Sequence, residues 1–212
     1  MVAVTADYRV LARHGTPAKA CVEDAKSVMR WMRLHARELG VNPDAIVAGG
    51  GSAGGHLAAC LAVLDATPNG KQQPDFRPNG LALFNPALVL APAKGVLEIS
   101  KEKLAELRVR LGTAPAELSP YHRLDEKLPP TIIFHGMADR TVAFTSIEHF
   151  ELKAKQLGSR IVLSGFEGAG HGFFNYGRDG GEYYRQTVLE LDRFLVDHGL
   201  LVGPSPKKIV AN

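Results

Sequence analysis

Five short apolar runs, Val2–Ala6, Ala45–Ala48, Leu81–Asn85, Thr131–His135 and Arg160–Leu163, are separated by stretches long enough to hold a helix. Strands joined through long helical connections pair in parallel, and a parallel sheet has to be covered on both faces. The covering helices are legible too. Thr16-Pro17 supplies a cap and a proline at the first helical position, and Cys21, Ala25, Val28, Met29, Met32, Ala36 and Leu39 recur at helical spacing until Gly40 stops the run. Further helices are expected from about Ala53 to Leu64, about Lys101 to Leu111, Ser146 to Leu157 and Glu182 to His198. Arg9 to Thr16 and Ala66 to Gly80 read as loops. The pattern predicts a three-layer α/β fold with a doubly wound, mostly parallel sheet, one domain over 1–202 and a flexible tail over 203–212. Residues 86–121 hold one helical stretch and are expected to wrap over the sheet's edge or mouth as a cap-like insert.

A chain of 212 residues can bury one sizeable core. The formal charge of +3 comes from scattered residues, so neither nucleic acid nor a membrane surface is implied as a partner. The densest basic cluster, Arg30, Arg33 and Arg37, is interrupted by Glu38 and reads as the solvated face of a helix. No run approaches the roughly 18 apolar residues of a membrane span. The N-terminus shows no secretory pattern, and the compartment stays unassigned. Cys21 and Cys60 belong to no cluster with metal-ligand spacing and are expected to be buried thiols. No metal or organic cofactor is implied.

In doubly wound sheets reactive groups gather at the carboxyl ends of the strands. After Ala45–Ala48 comes Gly50-Gly51-Ser52-Ala53-Gly54, a G-x-S-x-G sequence between a strand and a helix. Its glycines allow a strained turn that exposes the serine oxygen at a helix N-terminus. After Thr131–His135 comes Gly136-Met137-Ala138-Asp139, and after Arg160–Leu163 comes Gly170-His171-Gly172. A serine needs a base within reach, and an imidazole base needs a carboxylate to fix its tautomer. Ser52, Asp139 and His171 supply nucleophile, acid and base in the order Ser, Asp, His. Each has a plainer reading, as an anion-binding turn, a helix cap and a loop histidine, but the three readings are coupled: if one member is right, the others gain. His135 reads as a residue that ties loops together, and His56 as packing behind the turn. His14, His35, His122, His149 and His198 read as surface or loop residues. Phe173 and Phe174 are candidate substrate-binding residues, with core anchoring as the competing reading.

On these residues the chain resembles α/β-hydrolases of the acetyl-esterase and hormone-sensitive-lipase-like group, which includes carbohydrate acetyl esterases. The resemblance is carried by Asp7-Tyr8-Arg9, Asp24 to Trp31, Ala48 to Leu57, Ser119-Pro120-Tyr121, His135 to Val142 and Gly168 to Phe174. It runs from Val2 to about Leu201 and implies the α/β-hydrolase fold, with Ser52, Asp139 and His171 at the family's catalytic positions. Family members carry a His-Gly-Gly segment upstream of the Asp-Tyr-Arg strand, and its amides supply part of the oxyanion hole. This chain starts after that point, so the resemblance implies an N-terminally truncated hydrolase in which only the amide of Ala53 can be assigned to the oxyanion hole. The missing strand would lie between Val2–Ala6 and Ile46–Ala48. The two flanking strands are therefore expected to close up, to be bridged by another copy in a homo-oligomer, or to leave Val2–Ala6 unpaired.

The expected activity is that of a serine carboxylesterase acting on a small-molecule ester with a short, acetyl-type acyl group, with acetylated carbohydrates among the candidate substrates. The alternatives are a prolyl-oligopeptidase-type peptidase and a catalytically silent α/β-hydrolase-like binding domain.

Overall fold

The computed structural model describes residues 1–64 and 74–203. Residues 65–73, which hold much of the expected Ala66 to Gly80 loop, and residues 204–212 of the expected tail lie outside the described residues. In chain order the regular elements are α1 (Leu11–His14), α2 (Ala18–Leu34), α3 (Ala36–Leu39), β1 (Val47–Gly51), α4 (Ala53–Val63), β2 (Gly80–Phe84), α5 (Lys101–Leu111), α6 (Pro120–Arg123), β3 (Thr131–Gly136), α7 (Phe144–Gln156), β4 (Ile161–Phe166) and α8 (Glu182–Asp197). Short 3₁₀ turns at Pro115–Leu118 and Asp179–Gly181 complete them.

The four strands form one parallel sheet in the order β1-β2-β3-β4. Strands that follow one another in sequence and in space, joined by crossovers of a single hand, place every connecting helix on one face. That face buries Leu81, Leu83 and Ile133 against Val22 and Met29 of α2, Leu57 and Leu61 of α4, and Ile147 and Phe150 of α7. The period of two in the strands sends Ala82, Ile132 and Phe134 to the opposite face, where Phe194 and Leu195 of α8 cover them. Helix α4 is apolar almost all round because it is sandwiched, with eight of its residues buried. The 86–121 segment contributes Leu88, Leu111 and Leu118 to the same core. It is tied down by Ser119, whose hydroxyl accepts the Leu90 N–H at 3.0 Å. No helix of the described residues is long and apolar enough to cross a membrane.

Sequence and structure differ near the N-terminus, where Pro17 and not Thr16 stands at the N-cap of α2, with no side-chain cap hydrogen bond. Residues Val2–Ala6 form no strand and are exposed, so of the three arrangements expected beside β1 the structure adopts the unpaired one. A β-branched run becomes a strand only beside another strand, and the free edge of β1 carries none among the described residues. An apolar groove of about 480 Å³ lies there instead, lined by Val2, Val4, Met32, Ile46 and Leu195 among others. The Arg9–Thr16 loop contains the single turn α1, closed by Gly15 in the left-handed conformation. It is anchored by Arg9, whose guanidinium donates to both carboxylate oxygens of Asp24.

Candidate active site

The site is built where the carboxyl ends of β1 to β4 meet. Ser52 occupies the turn between β1 and α4 with φ 52 and ψ −111, one of three non-glycine residues with positive φ among those described. Such a conformation typically costs about 1–3 kcal/mol and persists where its surroundings over-determine it. The surroundings here are close backbone approaches. The Ser52 N–H donates to Phe84 O at 2.8 Å, which carries the β1–β2 ladder into the turn. A Cβ on Gly50 would stand 2.7 Å from the carbonyl carbon of Gly54, and one on Gly49 would stand 2.7 Å from Ala82 O. Gly50→Ala is therefore expected to cost about 1–3 kcal/mol, read as a drop of several degrees in Tm, because the turn has no room to relax. A Tm within one degree of the parent would refute this account of the turn.

Ala53 is the first residue of α4, so its amide belongs to the N–H groups that lack an intrahelical acceptor. Helix N-termini also favour developing negative charge. Both properties suit an oxyanion donor next to Ser52.

Asp139 and His171 come from the loops after β3 and β4. Those loops are pinned together. Met137 N–H donates to Phe166 O at 2.9 Å, Ala138 N–H donates to Ala169 O at 3.0 Å, and a Cβ on Gly136 would stand 2.3 Å from Ala169 O. The result is a hydrogen bond of 2.7 Å from His171 Nδ1 to Asp139 Oδ2. The Asp139 side chain is fully buried, whereas 27% of the His171 side chain remains exposed. The other carboxylate oxygen, Oδ1, accepts the N–H groups of Thr141 at 2.7 Å and Val142 at 3.0 Å. Burial alone would raise the Asp139 carboxyl. The hydrogen bonds from His171, Val142, Thr141 and Asn85 outweigh it and hold the group below the usual carboxylate range. With Nδ1 donating to the carboxylate, Nε2 is the nitrogen free to act as a base. Among the described residues no hydrogen bond joins Ser52 Oγ to His171. In sites of this kind the nucleophile–base contact commonly tightens only when substrate is bound.

The two phenylalanines after His171 separate. Phe173 is 2% exposed and packs on Phe166, with ring centroids 4.6 Å apart, and on Tyr183 at 5.6 Å. It is a core anchor, which corrects its assignment to substrate binding; full burial between the sheet and α8 leaves it no open face. Phe174 is half-buried, packs on Phe84 at 4.9 Å, and lies so close to the turn that a Cβ on Gly51 would meet its Cζ at 2.7 Å. It covers one side of the serine turn.

His135 donates from Nε2 to Val142 O at 2.9 Å and thereby ties β3 to the following loop. Its ring is buried, and burial pushes its pKa down despite the carboxylate of Asp139 3.4 Å away, so it packs there neutral. His56 meets Leu118 O at 2.7 Å and the thiol of Cys60 at 3.3 Å, which links α4 to the segment before α6. Both cysteines are free and buried, and burial pushes the Cys60 thiol up to about 12, so it is no nucleophile. Sequence reasoning passed over Asn85, which donates from Nδ2 to Asp139 Oδ2 at 2.6 Å. A polar residue at the carboxyl end of a buried strand was the available signal.

Comparison with known proteins places the fold in a family. Residues 1–175 match the family model for the alpha/beta hydrolase fold. The chain is 26% identical over 177 residues to the probable carboxylic ester hydrolase LipM of Mycobacterium tuberculosis, a match covering 76% of this chain and 39% of that protein. It spans less than half the length of the curated relatives LipM, LipC and LipQ that it matches. Among solved structures it is similar to the butyrate-bound thermophilic esterase Est2 of Thermogutta terrifontis. The TM-score is 0.86 at 46% identity, over 93% of this chain and 72% of that one. It is likewise similar to Thermogutta terrifontis esterase 2 phosphorylated by paraoxon, with a TM-score of 0.81 at 46% identity, over 93% of this chain and 71% of that one.

Proposed function

The chain belongs to the alpha/beta hydrolase fold family, and from that premise we propose that it is a serine carboxylesterase acting on short-chain acyl esters through an acyl-enzyme. The observation that carries this reading is a serine held at positive φ at the head of α4 while the neighbouring strand ends present a hydrogen-bonded His171–Asp139 pair. His171 Nε2 takes the proton from Ser52 Oγ as the oxygen attacks the ester carbonyl. The Ala53 amide stabilises the resulting oxyanion, and His171 returns the proton to the departing alcohol. Water activated by the same nitrogen then hydrolyses the acyl-enzyme. Asp139 holds the imidazole in the working tautomer and stabilises its cationic form.

The short acyl group is supported by two facts. Phe174 lies against the Gly51 side of the turn, and we take its ring as one wall of a short acyl site. The related Thermogutta esterase is bound to butyrate in one structure and to propionate in another. Acetylated carbohydrates remain candidate natural substrates within this class.

The test is covalent as well as catalytic. The chain is expected to hydrolyse p-nitrophenyl acetate and butyrate, and paraoxon is expected to abolish that activity in proportion to a diethylphosphoryl adduct that peptide mapping places on Ser52. An adduct elsewhere, or no adduct with no hydrolysis, would favour the silent binding domain, the reading to which the absent Ser52–His171 hydrogen bond lends support.

A further inference from the structure

Asn85 follows β2 directly, is wholly buried and adopts a left-handed backbone with φ 42, a conformation asparagine tolerates better than most residues. Its own N–H donates to Phe134 O at 2.9 Å, so its position is set by the sheet. Its Nδ2 donates to Asp139 Oδ2 at 2.6 Å and stands 3.4 Å from His171 Nδ1. Because both nitrogens are donors, they do not bond each other but converge on one oxygen. The amide's orientation follows from the chemistry: the flipped form would set Oδ1 against a carboxylate oxygen, acceptor to acceptor. Asn85 Oδ1 is left buried with no partner among the described residues. A residue kept for packing alone would not leave a buried carbonyl unpaired, since an apolar side chain of the same shape would avoid that cost.

We infer that Asn85 is a positioning residue of the hydrolytic site, which locks the plane of the Asp139 carboxylate and shares its Oδ2 with His171. The inference rests on the triad reading given above. The Thr141 and Val142 amides fill Oδ1, and Asn85 and His171 fill Oδ2, so each carboxylate oxygen accepts two donors and the group cannot rotate. The titratable groups that meet the carboxylate are His171, from the loop after β4, and His135 of β3.

The deciding experiment compares Asn85→Asp and Asn85→Ala with the parent chain. A carboxylate introduced by Asn85→Asp perturbs the neighbouring imidazole whatever the role of Asn85, so that variant serves as a shape-matched control for stability and Asn85→Ala decides. The positioning role predicts that the acid limb of kcat/KM moves upward in Asn85→Ala, where His171 no longer shares Asp139 Oδ2 with the Asn85 amide, whereas a purely structural role predicts an unmoved limb. In Asn85→Ala, kcat should fall about 10- to 100-fold with KM nearly unchanged, as expected for losing a hydrogen bond to a charged group. An Asn85→Ala profile that superimposes on the parent, whether or not Tm falls, would overturn the inference. The same shift is read without turnover from the His171 imidazole resonances in ¹H–¹⁵N spectra, assigned against a His171→Gln variant. If the parent chain shows no Ser52-dependent hydrolysis, the triad reading fails, and the imidazole titration separately decides whether Asn85 positions the Asp139–His171 pair: raised in Asn85→Ala it does, unmoved it does not.

Discussion

Ser52→Ala should lower kcat/KM for p-nitrophenyl acetate by about 10⁴- to 10⁶-fold while leaving the protein as stable as before. The loss follows from the role of the oxygen. Without it no acyl-enzyme forms, His171 has only water to activate, and what survives is the contribution of the Ala53 amide and of substrate binding. Unchanged stability follows from the geometry. The Ser52 side chain makes no capping hydrogen bond to α4, so the helix loses no cap with it. The backbone strain at φ 52 is borne equally by alanine, whose Cβ occupies the same position. The groups that impose the strain, the Phe84 carbonyl and the close approach of Gly50 to Gly54, are untouched. Thermal melts of parent and variant should therefore agree to within about 0.5 kcal/mol. Activity reduced by less than tenfold would remove Ser52 from the nucleophile's role whatever the melts show.

What the sequence disclosed, and what it withheld, divides by how local the physics is. The runs Leu81–Asn85 and Thr131–His135 were legible as strands because residues buried on both faces of a sheet have to be apolar without interruption. The serine turn was legible because its requirements, a side-chain-free residue at Gly50 and a helix behind, are met within a few residues. Val2–Ala6 has equally good strand composition and forms none, because pairing depends on a neighbour that no property of those five residues specifies. Phe173 and Phe174 are chemically identical and adjacent, yet one is buried behind α8 and the other rests on Gly51; only the path of the loop distinguishes them. Asn85 was absorbed into its strand as a terminal residue. Its significance lies in a contact with Asp139 across a long stretch of chain, and spacing carries no signal for such a contact.

Asp139→Asn is expected to reduce kcat/KM by about 10⁴-fold, and the hydrogen bonds explain why an isosteric change is so costly. An amide has one acceptor and one donor end. The Thr141 and Val142 N–H groups demand the acceptor at the Oδ1 position, which places the new NH₂ where Oδ2 stood, facing the donors Asn85 Nδ2 and His171 Nδ1. His171 can avoid the clash only by shifting its proton to Nε2, and in that tautomer it cannot accept from Ser52. The opposite amide orientation restores the His171 contact but sets NH₂ against two backbone N–H groups. The same variant should change how stability depends on pH. The folded-state pKa of Asp139 lies below its unfolded value, so through the acid range the native state binds fewer protons than the unfolded chain, and stability rises with pH. The contribution is complete above the unfolded carboxylate value of about 4 and is lost as pH falls through the lower folded value. Urea midpoints for parent and variant should therefore differ most near pH 7 and converge toward pH 2 to 3. A gap that stays constant with pH would mean that the charge of Asp139 contributes nothing to the fold and that its hydrogen bonds act as a neutral network would.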